Sequence, residues 1–355
     1  MYRIGLVVHT GRAESAAPAD AVRRWCAAND MTAVDVDVWS KPRRHSKDEV
    51  SAVGQLDLVV TIGGDGTFLR GARVAVAADC PVMGVNVGRV GFLTDVRPQD
   101  VGAALDQVRA GTVRVEDRLT LTMRASRAFG IPPGLDSLLH YGRGPMLPPP
   151  PVRDGSAETV GWGVALDVTA VNDVVFEKLA RDRQASLGVY LSSRLFATYS
   201  ADALMVASPT GSTAYSFAAG GPVLSPYLDA LIFTPVAPHM IFDRSIVISA
   251  REVVAVRVLD GSSQVAVSVD GQLRGVLDPG DWIAVYAASR RAKLLRFSQD
   301  NDFYDRLRGR FSLADAPAAV ADDHGGAPLV YRPSGPVPPD LERLRLPPAA
   351  SAQPA

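Results

Sequence analysis

Three glycines surround one aspartate in the stretch VVTIGGDGTFLR, residues 59–70. A β-branched apolar run enters it and a helical pattern leaves it, so Gly63, Gly64, Gly66 and Thr67 form a turn between strand and helix. Such turns bring backbone close to a ligand, and the free N–H groups of the following helix attract phosphate. The stretch is not a Walker A loop, because GK[ST] occurs nowhere in the chain, and not GxGxxG, because Leu69 stands where the third glycine belongs. A carboxylate in a phosphate turn is repelled by its ligand unless a divalent cation or a proton intervenes. Asp65 therefore either senses a cation such as Mg²⁺ or faces a hydroxyl that it can deprotonate. The plain alternative is a strand–turn–helix corner with Asp65 as N-cap.

Three further stretches carry unusual polar chemistry. In VTAVNDVVFEK, Asn172 and Asp173 interrupt an apolar run, and an amide beside a carboxylate can grip a ribose diol. Read alone, the pair fits a turn or strand end equally well. In SADALMVASPTGSTAYSFAAGGPVLSP, residues 200–226, Thr210, Gly211, Ser212 and Thr213 stand at a helix start beside Asp202. Ser and Thr cap free N–H groups there, small side chains leave room for a flat ligand, and Tyr215 can stack on a ring. Gly220 and Gly221 with Pro222 end that helix. The fourth stretch, SVDGQ at 268–272, reads as a β-turn on its own.

The elements that must position these residues change character along the chain. Residues 1–118 alternate buried strand patterns (RIGLVVH, AVDVDVW, LDLVVTI, PVMGVNV) with helical spacing at 19–29, 67–78 and 98–110. That alternation predicts an α/β domain on a doubly wound, mostly parallel sheet. Residues 119–298 hold short β-branched runs such as VALDVTAVNDVVF, SIVISA, VVAVRVLD, VAVSVDG and DWIAVYAA, which predict a β-rich second domain. One small-residue helix, at 212–219, is expected within it. The Pro-rich segment 126–161 reads as a flexible insertion and the Ala/Pro-rich residues 313–355 as a disordered tail. The chain's 355 residues fit two domains, and the net charge of −1 excludes a global field for nucleic acid. Cys26 and Cys80 form no metal-ligand pattern, and no run of about 18 apolar residues predicts a membrane span. A soluble, cytoplasmic protein is the expectation.

Together the four stretches resemble the NAD kinase family, in that family's order: GGDGT, an Asn–acid pair, Asp followed by TPTGSTAY, and DGQ. VVHTGR, GVNVGRVGFL and VEDRLTL resemble it too. The resemblance implies transfer of the γ-phosphoryl of ATP, or of polyphosphate, to the 2′-hydroxyl of the adenosine ribose of NAD. It implies a divalent cation such as Mg²⁺, a homodimer or homotetramer, and a C-terminal segment at 299–312 packed back on the first domain. By motif, Asp65 is the catalytic base or hydroxyl-orienting group, with Gly66 beside it and Arg70 a nearby cation. Asn172 and Asp173 hold ribose hydroxyls, and Asp202 contacts the nicotinamide side. Thr210, Thr213, Ala214, Tyr215, Ser216, Phe217 and Ala218 line the adenine and ribose pocket. Ala237 and Gln272 are looser assignments. The chain departs from the pattern at Asp173, where Glu is usual, at Ala203 after Asp202, at the Ser of SPTGSTAY, and in its long insertion. The shorter acid loosens the diol contact by about 1 kcal/mol, one net hydrogen bond. The rival readings are a lipid kinase of the diacylglycerol or sphingosine type, which shares the GGDGT turn, and an inactive NAD(P)-binding regulator.

Overall fold

Six consecutive buried residues, LVVTIG over Leu58–Gly63, set the architecture, because a strand buried on both faces needs a layer on each side. The computed structural model describes residues 2–39, 46–88, 91–128, 130–132, 148–153, 155, 161–179, 183–297, 303–311 and 339. The first part of the chain runs β1 (Arg3–Val8), α1 (Ala16–Ala28), β2 (Thr32–Asp35), α2 (Ser46–Val53), β3 (Leu58–Gly63), α3 (Asp65–Ala78), β4 (Val82–Asn86), α4 (Val101–Ala110) and β5 (Arg114–Arg118). Strands β2, β1, β3 and β4 pair in parallel in that order. Alternate residues of β3 face opposite layers. Leu58, Val60 and Ile62 join the α1 and α4 side with Val22, Cys26 and Leu105, whereas Val59 joins the α3 side with Phe68, Ala72 and Val76. Helices on both faces of a largely parallel sheet make this part doubly wound, as expected.

The second part is built from antiparallel strands: β6 (Leu121–Ala125), β7 (Val164–Ala165), β8 (Asp173–Lys178), β9 (Ala185–Leu191), β10 (Arg194–Ala201), β11 (Ala203–Ala207), β12 (Ala230–Val236), β13 (Ile246–Ser249), β14 (Val254–Val258), β15 (Val265–Val269), β16 (Gln272–Leu277) and β17 (Trp282–Ala287), with a single-turn α5 (Tyr215–Ala218) between β11 and β12. They form two six-stranded sheets, β10-β9-β14-β17-β6-β7 and β13-β12-β11-β8-β15-β16. Their inner faces share one apolar core, with Leu121, Leu187, Val256 and Ile283 from one sheet against Phe176, Leu204, Phe233 and Val267 from the other.

The chain then returns. β18 (Ala292–Arg296) enters the first sheet between β4 and β5, antiparallel to β5, and α6 (Phe303–Phe311) follows. The first sheet therefore takes a strand from residues that the sequence pattern groups with the second domain. Two local expectations are corrected. VALDVTAVNDVVF is not one strand. It holds β7 and β8 with irregular chain between, in which Asp167 N bonds to Pro151 O and the amides of Val171 and Asn172 bond to the Asp270 carboxylate. The helix expected at 212–219 is a 3₁₀ turn at Gly211–Thr213 and then α5, broken by Ala214 at φ −100°, ψ −128°.

The described ends of the Pro-rich segment are tied down: Ser126 N donates to Trp282 O, and Arg153 N to Ala165 O. The interior of that segment and the Ala/Pro-rich tail lie outside the described residues, apart from isolated positions. Both cysteines are buried and unbridged. No described helix is long and apolar enough to cross a membrane.

Candidate active site

Asp65 is the first residue of α3, and its N-cap is Gly64, not Asp65 itself. The Gly64 carbonyl accepts from Thr67 N at 2.9 Å and Phe68 N at 3.0 Å. This leaves the Asp65 carboxylate turned away from its own helix amides. It accepts instead from Phe92 N at 3.1 Å and Leu93 N at 3.3 Å. An anion in a first helical turn is also favoured by the helix dipole. The carboxylate lies so close to residue 91 that a Cβ there would sit 2.0 Å from Asp65 Oδ1, whereas Gly64 and Gly66 face open space. The turn is therefore open on its glycine side and closed on the side that orients Asp65. We expect Gly91→Ala to keep the fold and lower kcat by about 10²-fold, the cost of misplacing a catalytic group by about an ångström. Steady-state kinetics beside a thermal melt checks this, and an unchanged kcat would contradict the geometry.

The loop holding Asp65 is fixed from behind by the returning chain. Arg296 donates to Leu93 O at 3.1 Å and Arg306 to Phe92 O at 3.2 Å. Arg306 also pairs with Asp95 at 2.5 Å.

The second motif comes to α3 through apolar packing. Val171 is fully buried in the cluster of Phe68, Ala72 and Leu93, which brings the following Asn172 and Asp173 beside the helix. Their backbone is set by Asp270, whose carboxylate accepts from Val171 N at 3.0 Å, Asn172 N at 2.7 Å and Asp173 N at 3.3 Å. Asp270 N returns a bond to Asp173 O at 3.0 Å. Burial and then the neighbouring Asp270 push the Asp173 carboxyl up to about 7. Burial also raises Asp270, and Arg73 and the three backbone amides oppose that rise.

The third motif crosses over the second. Ser208 Oγ donates to Val171 O at 2.6 Å and accepts from Gly211 N at 3.1 Å. Ser208 is thus the capping hydroxyl, and the side chain of Thr210, the expected cap, makes no cap bond. Residue 211 can only be glycine, because a Cβ would stand 2.1 Å from Asn172 O. Ser212 Oγ accepts from Leu224 N at 3.0 Å, and Ser216 Oγ lies 3.1 Å from Thr234 Oγ1, so these hydroxyls hold the loop rather than face a ligand.

A cleft of about 230 Å³ opens where the motifs meet, lined among others by Leu69, Asn172, Asp173, Ala214, Tyr215 and Asp270. Leu69 is one helical turn beyond Asp65 and so shares its face. Around the motifs, the buried Thr67 Oγ1, Asn172 Oδ1, Thr210 Oγ1, Ser268 Oγ and Gln272 Oε1 have no partner within the protein. Buried polar atoms are nearly always satisfied, so such a set marks a place where a polar ligand completes the bonding. Burial, then the carboxylates of Glu177, Asp173 and Asp202, raise the Tyr215 hydroxyl.

The remaining candidates are not among the residues that line this cleft. Arg70 is buried with its guanidinium 4.4 Å over the Trp39 ring. Asp202 pairs with Lys178 at 2.5 Å. Thr213 and Ser216 are tied within the loop, Phe217 is exposed, and Ala218 ends α5. Ala237 sits at φ 45° after β12. Gly63 closes β3 with its carbonyl on Val87 N.

Sequence reasoning had not selected Asp270, the Phe92 and Leu93 amides, Leu69 or Glu177. Asp270 stands in SVDGQ, where only Gln272 drew attention, and the amides belong to GVNVGRVGFL, whose side chains carry no hint of their use. Glu177 was legible as the fifth residue of β8, two steps of two from Asp173 and therefore on its face.

Among the described residues no group of three or more His, Cys, Asp or Glu could cage a metal ion. A hard cation such as Mg²⁺ does not require one, since it takes most ligands from water and phosphates and needs one or two carboxylates. Asp65, beside open space at the turn, is a donor of that kind, so the residues fit a cation carried in on phosphates.

Residues 4–113 match the family model for the ATP-NAD kinase N-terminal domain, and residues 171–297 that for the ATP-NAD kinase C-terminal domain. The chain is 60% identical over 354 residues to NAD kinase 1 of Streptomyces avermitilis, covering 99% of this chain and 98% of the relative. To NAD kinase 1 of Streptomyces coelicolor it is 59% identical over 347 residues, covering 97% and 94%. Among solved structures, yeast NADH kinase complexed with NADH superposes with TM-score 0.65 at 18% identity, covering 93% of this chain and 90% of that one. An NAD kinase from Archaeoglobus fulgidus in complex with ATP gives 0.60 at 20% identity, covering 88% and 99%. At these identities the two structures speak for the shared fold.

Proposed function

The chain belongs to the NAD kinase family and is an NAD kinase, and on that premise we propose how its residues divide the transfer of a phosphoryl group from ATP to NAD. The observation that carries the assignment is Asp65, held by two backbone amides one helical turn before Leu69 of a cleft in whose lining Asn172 Oδ1 and Ser268 Oγ lack partners. Phosphoryl transfer has a loose transition state, so positioning and charge neutralisation supply most of the catalysis. Asp65 fixes the 2′-hydroxyl of the adenosine ribose in line and accepts its proton late, because a normal carboxylate is a weak base towards an alcohol. Gly63, Gly64, Gly66 and Thr67 admit the triphosphate. A divalent cation, when bound, neutralises charge on the transferring group, and Asp65 is the carboxylate that the turn offers it.

Asn172 and Asp173 hold the ribose diol. The buried Asn172 Oδ1 accepts one hydroxyl and the Asp173 carboxylate another. Thr210 and the run from Thr213 to Ala218 form the adenine and ribose wall, with Tyr215 as the stacking ring. Asp202, already paired with Lys178, takes the nicotinamide side, Arg70 supplies positive charge one turn from Asp65, and Ala237 and Gln272 complete the rim. The enzyme works as a homodimer or homotetramer in the cytoplasm. An Asn172→Ala variant tests the division of labour: KM for NAD rises about tenfold, one lost hydrogen bond at a desolvated site, while kcat and KM for ATP stay near wild type. A fall in kcat at unchanged KM would remove Asn172 from the diol.

Asp173 gives the site a pH dependence. Its carboxyl titrates near 7, and only the ionised form accepts a hydroxyl proton with both oxygens, so KM for NAD falls as pH rises from about 6 to 8. Stability moves the other way in the ligand-free protein. The raised carboxyl stabilises fully below its ordinary value of 3.8, and that contribution is lost as pH rises through about 7. Thermal melts of wild type and Asp173→Asn at pH 5 and pH 8 should show the wild type losing ground to the variant at the higher pH. A gap independent of pH would place the titration elsewhere.

A further inference from the structure

A second cavity lies apart from the cleft at Asn172 and Asp173 and shares no lining residue with it. It measures about 500 Å³ and lies against the second half of α3, where Arg73, Val76 and Ala77 form one wall. Arg73 is eight residues beyond Asp65, about 12 Å along the helix axis, so this space is separate from the reacting turn. Four arginines line it, Arg73, Arg153, Arg274 and Arg290, against a single carboxylate, Asp167. The lining side chains thus carry 4 − 1 = +3, in a chain whose net charge is −1.

The arginines are held in place. Arg153 donates to Thr122 Oγ1 at 3.2 Å, and Arg290 to Val76 O at 3.3 Å and Ala77 O at 3.2 Å. Arg73 is 8% exposed and Arg274 4%. Guanidinium groups gathered in a recessed space repel one another, the buried Arg73 and Arg274 have also surrendered hydration, and an anion with several oxygens relieves both costs. The volume lies in the range of small-molecule sites, and planar guanidinium forks recognise carboxylate and phosphate two oxygens at a time. An aromatic plate for a base is missing from the described lining apart from Tyr286, so the fit is to a compact anion rather than to a nucleotide.

We propose that this cavity is a second binding site, distinct from the catalytic cleft, for a compact polyanion bearing two or more carboxylate or phosphate groups. Occupancy is felt at the catalytic cleft through Arg73, whose charge also acts on Asp270, the anchor of Asn172 and Asp173. An anion that engages Arg73 weakens that opposing charge, and KM for NAD rises with kcat unchanged. This second consequence rests on the assignment of Asn172 and Asp173 to NAD, whereas binding itself does not.

Isothermal titration of the full chain, without nucleotide or metal, with citrate and separately with inorganic pyrophosphate tests the binding and distinguishes the two anion chemistries. The expected result is saturable binding of at least one probe, weakened about tenfold or more in both Arg290→Gln and Arg153→Gln. Asp167→Asn should tighten the same binding, an outcome that mere loss of structure cannot produce. Neither arginine variant should change kcat or either KM in anion-free buffer, and their melting curves there show that they are folded. Binding equal in wild type and both arginine variants, or no binding of either probe at millimolar concentration, overturns the proposal. Binding that follows these substitutions while KM for NAD stays constant keeps the site and refutes the link through Arg73.

Discussion

Replacing Asp65 by Asn leaves the protein folded and removes most NADP formation, with kcat lower by about 10²–10⁴-fold, the usual span for a lost acid–base group. The substitution is nearly isosteric, yet the geometry shows where it is not innocent. Each Asp65 oxygen accepts one backbone amide, from Phe92 and from Leu93. An Asn can accept only one of them and turns an NH₂ towards the other, at a local cost of about 1 kcal/mol. That cost shifts the melting temperature slightly and does not account for a thousandfold loss of turnover. The decisive comparison is therefore kcat against stability, with NADP read by an NADP-specific dehydrogenase. Near-normal turnover in folded Asp65→Asn would end the catalytic assignment. Loss of turnover that tracks loss of folded protein would reduce Asp65 to a loop anchor.

Glu116→Gln is the substitution expected to damage stability most. Glu116 is buried, 3.0 Å from Arg296 and 2.5 Å from Arg118, and accepts from Tyr227 Oη at 2.9 Å. Burial alone would raise its carboxyl, but Arg296 and Arg118 outweigh burial and hold it down at about 2. Removing the charge leaves two buried guanidinium groups facing each other, and breaking such a pair costs roughly 3–5 kcal/mol. In a chain of this size each kcal/mol lowers the melting temperature by about 2–4 °C or somewhat less. Because Arg296 also holds the Leu93 carbonyl, and Leu93 N holds Asp65, kcat falls in the fraction that remains folded. The depressed carboxyl contributes stability above its ordinary 4.5 and loses it as pH falls towards about 2, so the difference between wild type and variant should shrink in acid. Replacing Glu116, Arg118 and Arg296 together by apolar residues should recover much of the stability without recovering kcat. A melting point for Glu116→Gln within a degree of wild type would show the network to be dispensable.

The parts of the site that were readable in the sequence share one physical property: their chemistry is local. Gly–Gly–Asp–Gly between a β-branched run and a helical pattern announces an open strand–turn–helix corner, whatever surrounds it. Asn172 and Asp173 announce themselves as polar groups in an apolar run. Alternation of strand and helix before residue 118, and β-branched runs after it, carried the two architectures because those periods come from the chain's own geometry. Misreadings arose where a distant group competes for the backbone. No propensity of Val171 and Asn172 says that their amides will leave the strand, since the competing acceptor, Asp270, is about a hundred residues away. Nor could the 3₁₀ turn at Gly211–Thr213 be separated from a longer helix without the Asn172 carbonyl pressed against Gly211.

By itself, then, the sequence determined the reaction class, the acid at the turn and the polar pair in the apolar run, because these follow from residue types at short spacing. Only the tertiary structure decided how those groups face each other. It did so by burying Val171 among Phe68, Ala72 and Leu93, by sending β18 back into the first sheet, and by using main-chain amides of residues 92 and 93 to aim Asp65. Each of these is a long-range contact made by apolar burial or by backbone, and neither leaves a signature in the identity of the residues that it positions.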